Sequence, residues 1–173
     1  FHYLQSVVDP YCDPSQMTGQ ERQKILTTIL KDYDAETTDF FTWIANVTAS
    51  QVAERLKSKF NLSVGGVVDI KPLKIGDSGR IVELIVEGAD SSVVIGKELA
   101  IRKLLSDSHL YSSAFTIDRQ LIEKEIVFTL KGKGWGHGVG LCQIGAAIMA
   151  ERGYSCKQIL RHYYPGIKLE KRY

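Results

Sequence analysis

The chain has 173 residues, of which 44% are hydrophobic and 24% are charged, and its formal net charge is +2 at pH 7. This composition is typical of a globular protein, and the length predicts a single domain over residues 1–173 with a substantial core. The small, evenly spread charge argues against nucleic acid as a partner. No apolar run is long enough to predict a membrane-spanning helix.

The first sixty residues predict two helices with a strand between them. Apolar residues recur at helical spacing over Glu21–Tyr33, and the aromatic and β-branched run Phe40–Ile44 predicts a strand. The pattern over Thr48–Phe60 is the clearest helix of this part, because Thr48 and Gln51 form a capping box ahead of one apolar stripe. Thr48 also belongs to an Asn-Val-Thr triplet, but we interpret it as a helix cap rather than as part of a glycosylation site.

The middle of the chain is rich in short β-type runs bounded by glycine and aspartate. The connections between the runs are too short for crossover helices, so they predict antiparallel hairpins. The predicted strands are Val67–Pro72, Arg80–Glu87, Ser92–Ile95, Ala114–Asp118 and Glu125–Leu130, with a short helix over Lys97–Leu105.

The chain closes with two predicted helices. Leu141–Arg152 stops at Gly153, and the next helix starts at Ser155, whose capping partner is Gln158. A last strand is expected over Ile167–Leu169. The predicted class is α+β, with mostly antiparallel strands and two C-terminal helices that follow a glycine-rich loop.

Three cysteines, Cys12, Cys142 and Cys156, lie far apart in the sequence. Their odd number and lack of paired spacing do not indicate a disulfide framework, and Cys156 fits an apolar helical stripe as a small core residue. A zinc site would have to combine His137, Cys142, Cys156 and His162, yet these residues lack the ligand spacing typical of zinc. We therefore expect neither a metal nor a cofactor.

Between Gly132 and Gly140 every second residue is glycine. If this segment is extended, its glycines lie on one face and the side chains of Lys133, Trp135 and His137 lie on the other. Such a run has an entropic cost, which favours a functional role, although a bent strand packed under a helix would also need glycine. The spacing matches neither phosphate-binding glycine motif, so a nucleotide site is not expected.

The residue types around this run favour carbohydrate. An indole stacks on flat apolar surfaces such as those of sugar rings, and free N–H groups before the next helix can bind an acetamido oxygen. The amide of Gln143 adds a donor and an acceptor in the first helical turn. The predicted substrate-binding residues are Gly134, Trp135, Gly136, His137, Gly138, Gln143 and Tyr164.

The segment from Gly132 to Ala146, GKGWGHGVGLCQIGA, resembles the G-x-G-W-G-H-G-V-G-[LM]-[SC]-Q-x-G-A signature of the SpoIID/LytB family. The resemblance continues from Ile159 to Gly166 and includes the SGR, LR and SSxF elements at Ser78, Ile101 and Ser112. It covers about residues 78 to 169, and it is weak over residues 1–64.

This resemblance implies an exported cell-envelope protein that acts on peptidoglycan, with its signal or anchor outside these residues. Family members are lytic transglycosylases that cleave denuded glycan strands, or enhancers of cell-wall amidases. The second possibility makes this chain a non-catalytic glycan-binding or amidase-stimulating module with an amidase as partner. The family's catalytic glutamate lies in a stretch resembling EALKAQAVAARTY, which these 173 residues do not contain. The catalytic acid is therefore unassigned, because neither Glu125 nor Glu151 has the context of a tuned general acid.

Overall fold

The computed structural model describes residue 7 and residues 9–29, 42–108 and 110–170. The chain divides into two compact units, which we call the strand unit (residues 39–137) and the helical unit (residues 1–38 with 138–173). The predicted α+β class is confirmed, whereas the extent of the domain over residues 1–173 stays a prediction. No helix within the described ranges is long and apolar enough to cross a membrane.

The first regular element and the last two belong to the helical unit, and all the elements between them belong to the strand unit. In chain order they are α1 (Gly19–Lys24), β1 (Thr42–Thr48), α2 (Ala49–Phe60), β2 (Val67–Ile75), β3 (Ile81–Gly88), β4 (Ser92–Gly96), α3 (Glu98–Leu104), β5 (Phe115–Ile122), β6 (Glu125–Lys133), α4 (Gln143–Glu151) and α5 (Cys156–Tyr163).

The strand unit contains two antiparallel three-stranded sheets, with strand orders β1-β6-β5 and β2-β3-β4. One continuous apolar core lies between the sheets and the two helices of this unit. Each fully buried leucine or phenylalanine contributes roughly 1.5–3 kcal/mol of transfer free energy. The core includes Val52 and Leu56 of α2, Leu84 and Val86 of β3, and Phe128 and Leu130 of β6.

Local sequence signals predicted the type and the order of the helices and strands in this unit. The Thr48–Gln51 capping box is present at the start of α2, and Asn61 ends the helix in a left-handed conformation with φ of 54°. The predicted hairpins are antiparallel, and β1, β2, β5 and β6 extend three or four residues beyond their predicted ends. Strand β1 begins at Thr42, while Phe40 and Phe41 of the predicted strand lie outside the described residues.

The N-terminal helix of the helical unit changes its geometry within the predicted range. Thr18 and Glu21 form a capping box at the start of α1, which continues into a π-helical turn over Ile25–Ile29. The two successive threonines at 27 and 28 have low helix propensity, consistent with a departure from α-helical geometry. The last residues of the predicted helix, 30–33, lie outside the described residues.

The two C-terminal helices are confirmed. Gly153 follows α4 with φ of 84°, and Ser155 and Gln158 form a capping box at the start of α5. The strand predicted over Ile167–Leu169 is wrong, because these residues pair with no strand in the described part of the chain. The amide of Ile167 instead donates to the Tyr164 carbonyl at 3.4 Å, which closes a turn after the helix.

Candidate functional site

The glycine-rich segment is extended only at its start. Strand β6 contains Gly132 and Lys133, after which Gly134, Gly136, Gly138 and Gly140 all have positive φ, between 67° and 79°. The predicted division into a glycine face and a side-chain face is therefore wrong beyond Lys133. A residue with a Cβ costs roughly 1–2 kcal/mol in this left-handed region, which explains why glycine recurs at every second position.

Gly132 serves packing. It pairs with Trp43 of β1, and a Cβ at this position would lie 2.1 Å from the nearest carbon of the indole. Trp43 is buried, with 6% of its surface exposed. The sequence left open the possibility that the glycines of this run serve packing rather than binding. Gly132, the first of them, serves packing.

Arg80 holds the turn that follows β6. Its Nε donates to the carbonyl of Gly136 at 2.9 Å, and its Nη2 donates to the carbonyl of Trp135 at 3.1 Å. Burial lowers the pKa of the Arg80 guanidinium, since a cation is less well solvated there. In the described residues no carboxylate forms an ion pair with Arg80. The guanidinium therefore acts as a fork that fixes two successive carbonyls.

A row of four aromatic rings leads from the core to this turn. Phe115 and Trp43 have ring centroids 6.0 Å apart, as do Trp43 and Tyr111. Tyr111 in turn lies 5.6 Å from the ring of Trp135 at an interplanar angle of 47°. The Tyr111 carbonyl also accepts a bond of 2.8 Å from the amide of Gly136. Both Tyr111 and Trp135 are half-buried residues.

In the helical unit, a disulfide joins Cys12 to Cys142, although the spacing of the cysteines did not indicate one. The two residues are 130 positions apart, and only the folded chain brings them together. The Cys142 sulfur also accepts from the amide of Gly145 as the N-cap of α4. The expectation that Cys156 is a core residue is wrong as well, because its helical position faces solvent and the thiol is free and exposed.

The start of α4 packs closely against the end of α5. A Cβ on Gly145 would lie 2.1 Å from the Tyr163 hydroxyl and 2.7 Å from Asp9 Oδ2, so this glycine permits the contact. The Tyr163 hydroxyl donates to Asp9 at 2.9 Å. Burial, with the adjacent Asp9 carboxylate as a further cause, raises the pKa of Tyr163 far above its usual value, so the phenol keeps its proton.

Tyr164 contacts the end of the glycine-rich segment. Its hydroxyl accepts from the amide of Leu141 at 3.2 Å, and a Cβ on Gly140 would approach the same oxygen to 3.0 Å. Gln143 is exposed as the first residue of α4. His162 packs edge-on against Tyr163, with ring centroids 4.8 Å apart, and its Nε2 has no hydrogen-bond partner within the described ranges.

The predicted binding residues fall into two groups. Gly134, Trp135, Gly136 and His137 belong to the strand unit, and His137 is exposed; Gly138, Gln143 and Tyr164 belong to the helical unit. In the strand unit the structure places Trp135 on a fixed turn beside Tyr111. The supporting roles of Arg80 and Tyr111 were not predicted from the sequence. The signals were available, since Arg80 ends the SGR element and Tyr111 directly precedes the SSxF element.

Neither acidic residue considered as a general acid has a suitable environment. Glu125 accepts a hydrogen bond from the amide of Ser50 at the start of α2, and hydrogen bonds from Ser50 and Thr48 lower the pKa of its carboxyl. Glu151 is exposed and forms an ion pair with Lys24. A general acid needs a raised pKa, so these contacts argue against both.

Within the described ranges one group of side chains converges closely enough to hold a metal, namely Asp9, Cys12 and Cys142. It shares only Cys142 with the zinc set considered from the sequence. Zinc binds cysteine as thiolate, whereas these two sulfurs are bonded to each other. The group therefore does not fit a zinc ion in this state of the protein.

The comparisons with known proteins agree with the motifs. Residues 1–140 match the model of a domain of unknown function, DUF8618. The chain is 37% identical over 81 residues to stage II sporulation protein D of Bacillus amyloliquefaciens, which covers 47% of the chain and 22% of that protein. It is 52% identical over 42 residues to the amidase enhancer of Bacillus subtilis strain 168, which covers 24% of the chain and 6% of the relative.

A second stage II sporulation protein D, from Bacillus subtilis strain 168, is 32% identical over 81 residues, or 47% of the chain and 22% of that relative. The chain thus spans less than a quarter of the length of these relatives. The resemblance to the SpoIID/LytB family is confirmed over part of the chain. The match over residues 1–140 shows that the chain belongs to the DUF8618 family.

Proposed function

We propose that this protein binds the glycan strands of bacterial peptidoglycan through the turn that carries Trp135. The observation that supports this most directly is the half-buried Trp135 ring beside Tyr111, on a backbone fixed by Arg80. Aromatic faces provide a large apolar contact, and a preorganised loop loses little entropy on binding. The similarity to a stage II sporulation protein and to an amidase enhancer supports cell-wall remodelling as the setting.

Lytic cleavage of the strand would require a carboxylic acid that protonates the glycosidic oxygen, after which the sugar's own 6-hydroxyl replaces water as nucleophile. The carboxyl of Glu125 has a lowered pKa and is ionised at neutral pH, and Glu151 is paired with Lys24. We therefore expect residues 1–173 alone to release little or no anhydro-muropeptide from denuded strands. Full activity of this chain, measured by time-resolved product analysis, would show that one of these acids was wrongly dismissed.

The Cys12–Cys142 disulfide supports an exported location for this function. Disulfides persist in oxidising compartments outside the bacterial cytoplasm and are rare in reducing ones. We propose that the chain acts in the cell envelope, where peptidoglycan is accessible. Alkylation of free thiols in the protein taken directly from cells tests this, because an oxidised pair leaves Cys156 as the single reactive cysteine of the three.

Trp135→Ala tests the binding proposal. We expect at least about tenfold weaker binding to soluble denuded glycan strands, which corresponds to about 1.4 kcal/mol. Leu121→Ala is the matched control, because it removes an apolar side chain that is 69% exposed at the tip of the β5–β6 hairpin of the same unit. Both variants should unfold at temperatures close to that of the wild type. Normal binding by Trp135→Ala would refute the proposal.

Stimulation of a cell-wall amidase is the second candidate, and the 52% identity to an amidase enhancer favours it. It is tested by adding the chain to a purified amidase and measuring release of stem peptides from intact cell walls. An increase that Trp135→Ala abolishes would connect stimulation with glycan binding. An increase that survives this substitution would indicate direct contact with the amidase.

A further inference from the structure

We infer that Tyr111 and Trp135 together form a two-ring platform on which sugar rings stack, and that Arg80 is the positioning residue that holds this platform in shape. The inference rests on the proposed glycan function and deepens it. It assigns a binding role to Tyr111 and a positioning role to Arg80, neither of which was among the binding residues predicted from the sequence.

The geometry of the two rings supports a joint surface. Their centroids lie 5.6 Å apart with an interplanar angle of 47°, so the two rings are neighbours whose planes are inclined to each other. This separation is within the range in which aromatic pairs attract each other, and the contact limits the motion of both. Both residues are half-buried, so the pair lies partly at the surface. Two adjacent tilted faces provide a larger contact for a glycan than one indole does.

Tyr111 is anchored on its inner side. Its ring meets the buried Trp43 indole edge-on, with centroids 6.0 Å apart, and Trp43 packs in turn against Phe115 of β5. The main chain of Tyr111 accepts from the Gly136 amide at 2.8 Å. The same residue therefore contacts the core through its ring and the glycine-rich turn through its backbone, which makes it a rigid part of the surface.

Arg80 fixes the other ring. Its fork binds the carbonyls of Trp135 and Gly136, the two residues whose backbone sets the direction of the Trp135 side chain. Gly136 has φ of 73°, so the chain turns sharply directly after Trp135. The guanidinium lies against this turn, with Nη2 3.9 Å from the position of a Cβ on Gly134. A neutral side chain at position 80 leaves these carbonyls without their charged donor, and the indole then loses its fixed orientation.

Three substitutions at Tyr111 distinguish the contribution of its aromatic ring to binding from the contributions of its hydroxyl and of its side-chain volume. Tyr111→Phe keeps the ring, Tyr111→Leu keeps apolar volume without a flat face, and Tyr111→Ala removes both. Binding of soluble denuded glycan fragments is measured by calorimetry, at a temperature well below the unfolding midpoint of each variant. We expect about fivefold weaker binding for Leu and Ala, and binding within about twofold of wild type for Phe. If the Tyr111→Ala variant does not fold, the comparison of the Leu variant with the Phe variant shows whether binding needs the flat ring.

Arg80→Gln tests positioning with a spectroscopic measurement. The protein has two tryptophans, so labelling with 5-fluorotryptophan gives two fluorine resonances, and Trp135→Ala assigns them. We expect Arg80→Gln to broaden or shift the Trp135 resonance more than that of Trp43, whose indole N–H donates to the Gly134 carbonyl at 3.3 Å in the same turn, and to weaken glycan binding. Arg80→Lys keeps the charge but not the fork, so it should restore binding only in part.

The outcomes distinguish this inference from the proposed function. If Trp135→Ala binds normally, the proposed function fails. If Trp135→Ala loses binding while Tyr111→Leu and Tyr111→Ala keep it, the function stands and the platform is refuted. A loss in Tyr111→Phe equal to that in Tyr111→Ala would assign the effect to the hydroxyl and also refute stacking. An unchanged Trp135 resonance in Arg80→Gln would refute the positioning role.

Discussion

Replacing Gly132 by alanine should destabilise the strand unit strongly, although alanine is the smallest possible change. The new Cβ would lie 2.1, 2.2 and 2.4 Å from three carbons of the Trp43 indole. Carbon atoms pack best at about 3.5–4.0 Å, so the indole or strand β6 would have to move by more than an ångström. Trp43 is buried between neighbouring rings and has little room to move.

The expected cost follows from this overlap. Overpacking a core typically costs about 1–3 kcal/mol and occasionally more, and an overlap with three ring carbons favours the upper end. For a chain of 173 residues, a loss of about 3 kcal/mol lowers the unfolding midpoint by roughly 6–12 °C. Thermal unfolding followed by circular dichroism measures this shift, and urea unfolding gives the free energy directly.

Gly96→Ala is the matched control, since Gly96 also lies in a strand but a Cβ there would meet nothing within 4 Å. Its free energy of unfolding should change by no more than about 1 kcal/mol. Trp43→Phe removes the ring atoms that meet the new Cβ, so adding Gly132→Ala to it should cost at least about 1 kcal/mol less than in the wild type. If Gly132→Ala unfolds like the control, or if the two substitutions are additive, the packing explanation for Gly132 is refuted.

Three further predictions concern the caps and cross-links. Reduction of the Cys12–Cys142 disulfide should lower the free energy of unfolding, measured by urea denaturation, by about 2–4 kcal/mol. In the Cys12→Ser variant the stability should not depend on dithiothreitol. Unchanged stability of the wild type on reduction would count against the bond. The Glu21 carboxyl, whose pKa is lowered from 4.5 to about 2 by Arg152 and by hydrogen bonds from Thr18, should stabilise the fold above pH 4.5 and lose this contribution as the pH falls toward 2. Arg152→Gln should raise the Glu21 pKa in an NMR titration, and an unmoved pKa would contradict that cause. Thr48→Ala should cost about 1 kcal/mol by removing the cap of α2, whereas Thr48→Ser should cost much less; equal losses would exclude the capping hydroxyl as the reason.

The local signals of this sequence were sufficient for much of its secondary structure. The capping box at Thr48, the one at Ser155 and the stop at Gly153 each depend on hydrogen bonds or backbone angles within about four residues. Such signals are present in the sequence before any tertiary contact forms. The α+β class followed because strands with short connections must form antiparallel hairpins. The binding roles predicted for Trp135, His137 and Gln143 stay predictions.

Contacts between distant residues were decided by the tertiary structure alone. The disulfide closes over 130 positions, Arg80 binds carbonyls 55 and 56 positions away, and Gly132 is required by an indole on another strand. No periodicity encodes these pairs, because they depend on strand register and on how the core is packed. The glycine-rich segment shows the same limit. Its composition indicated a special backbone, but the left-handed turn at Gly136 became defined only where Arg80 and Tyr111 meet the carbonyl and amide groups of this residue.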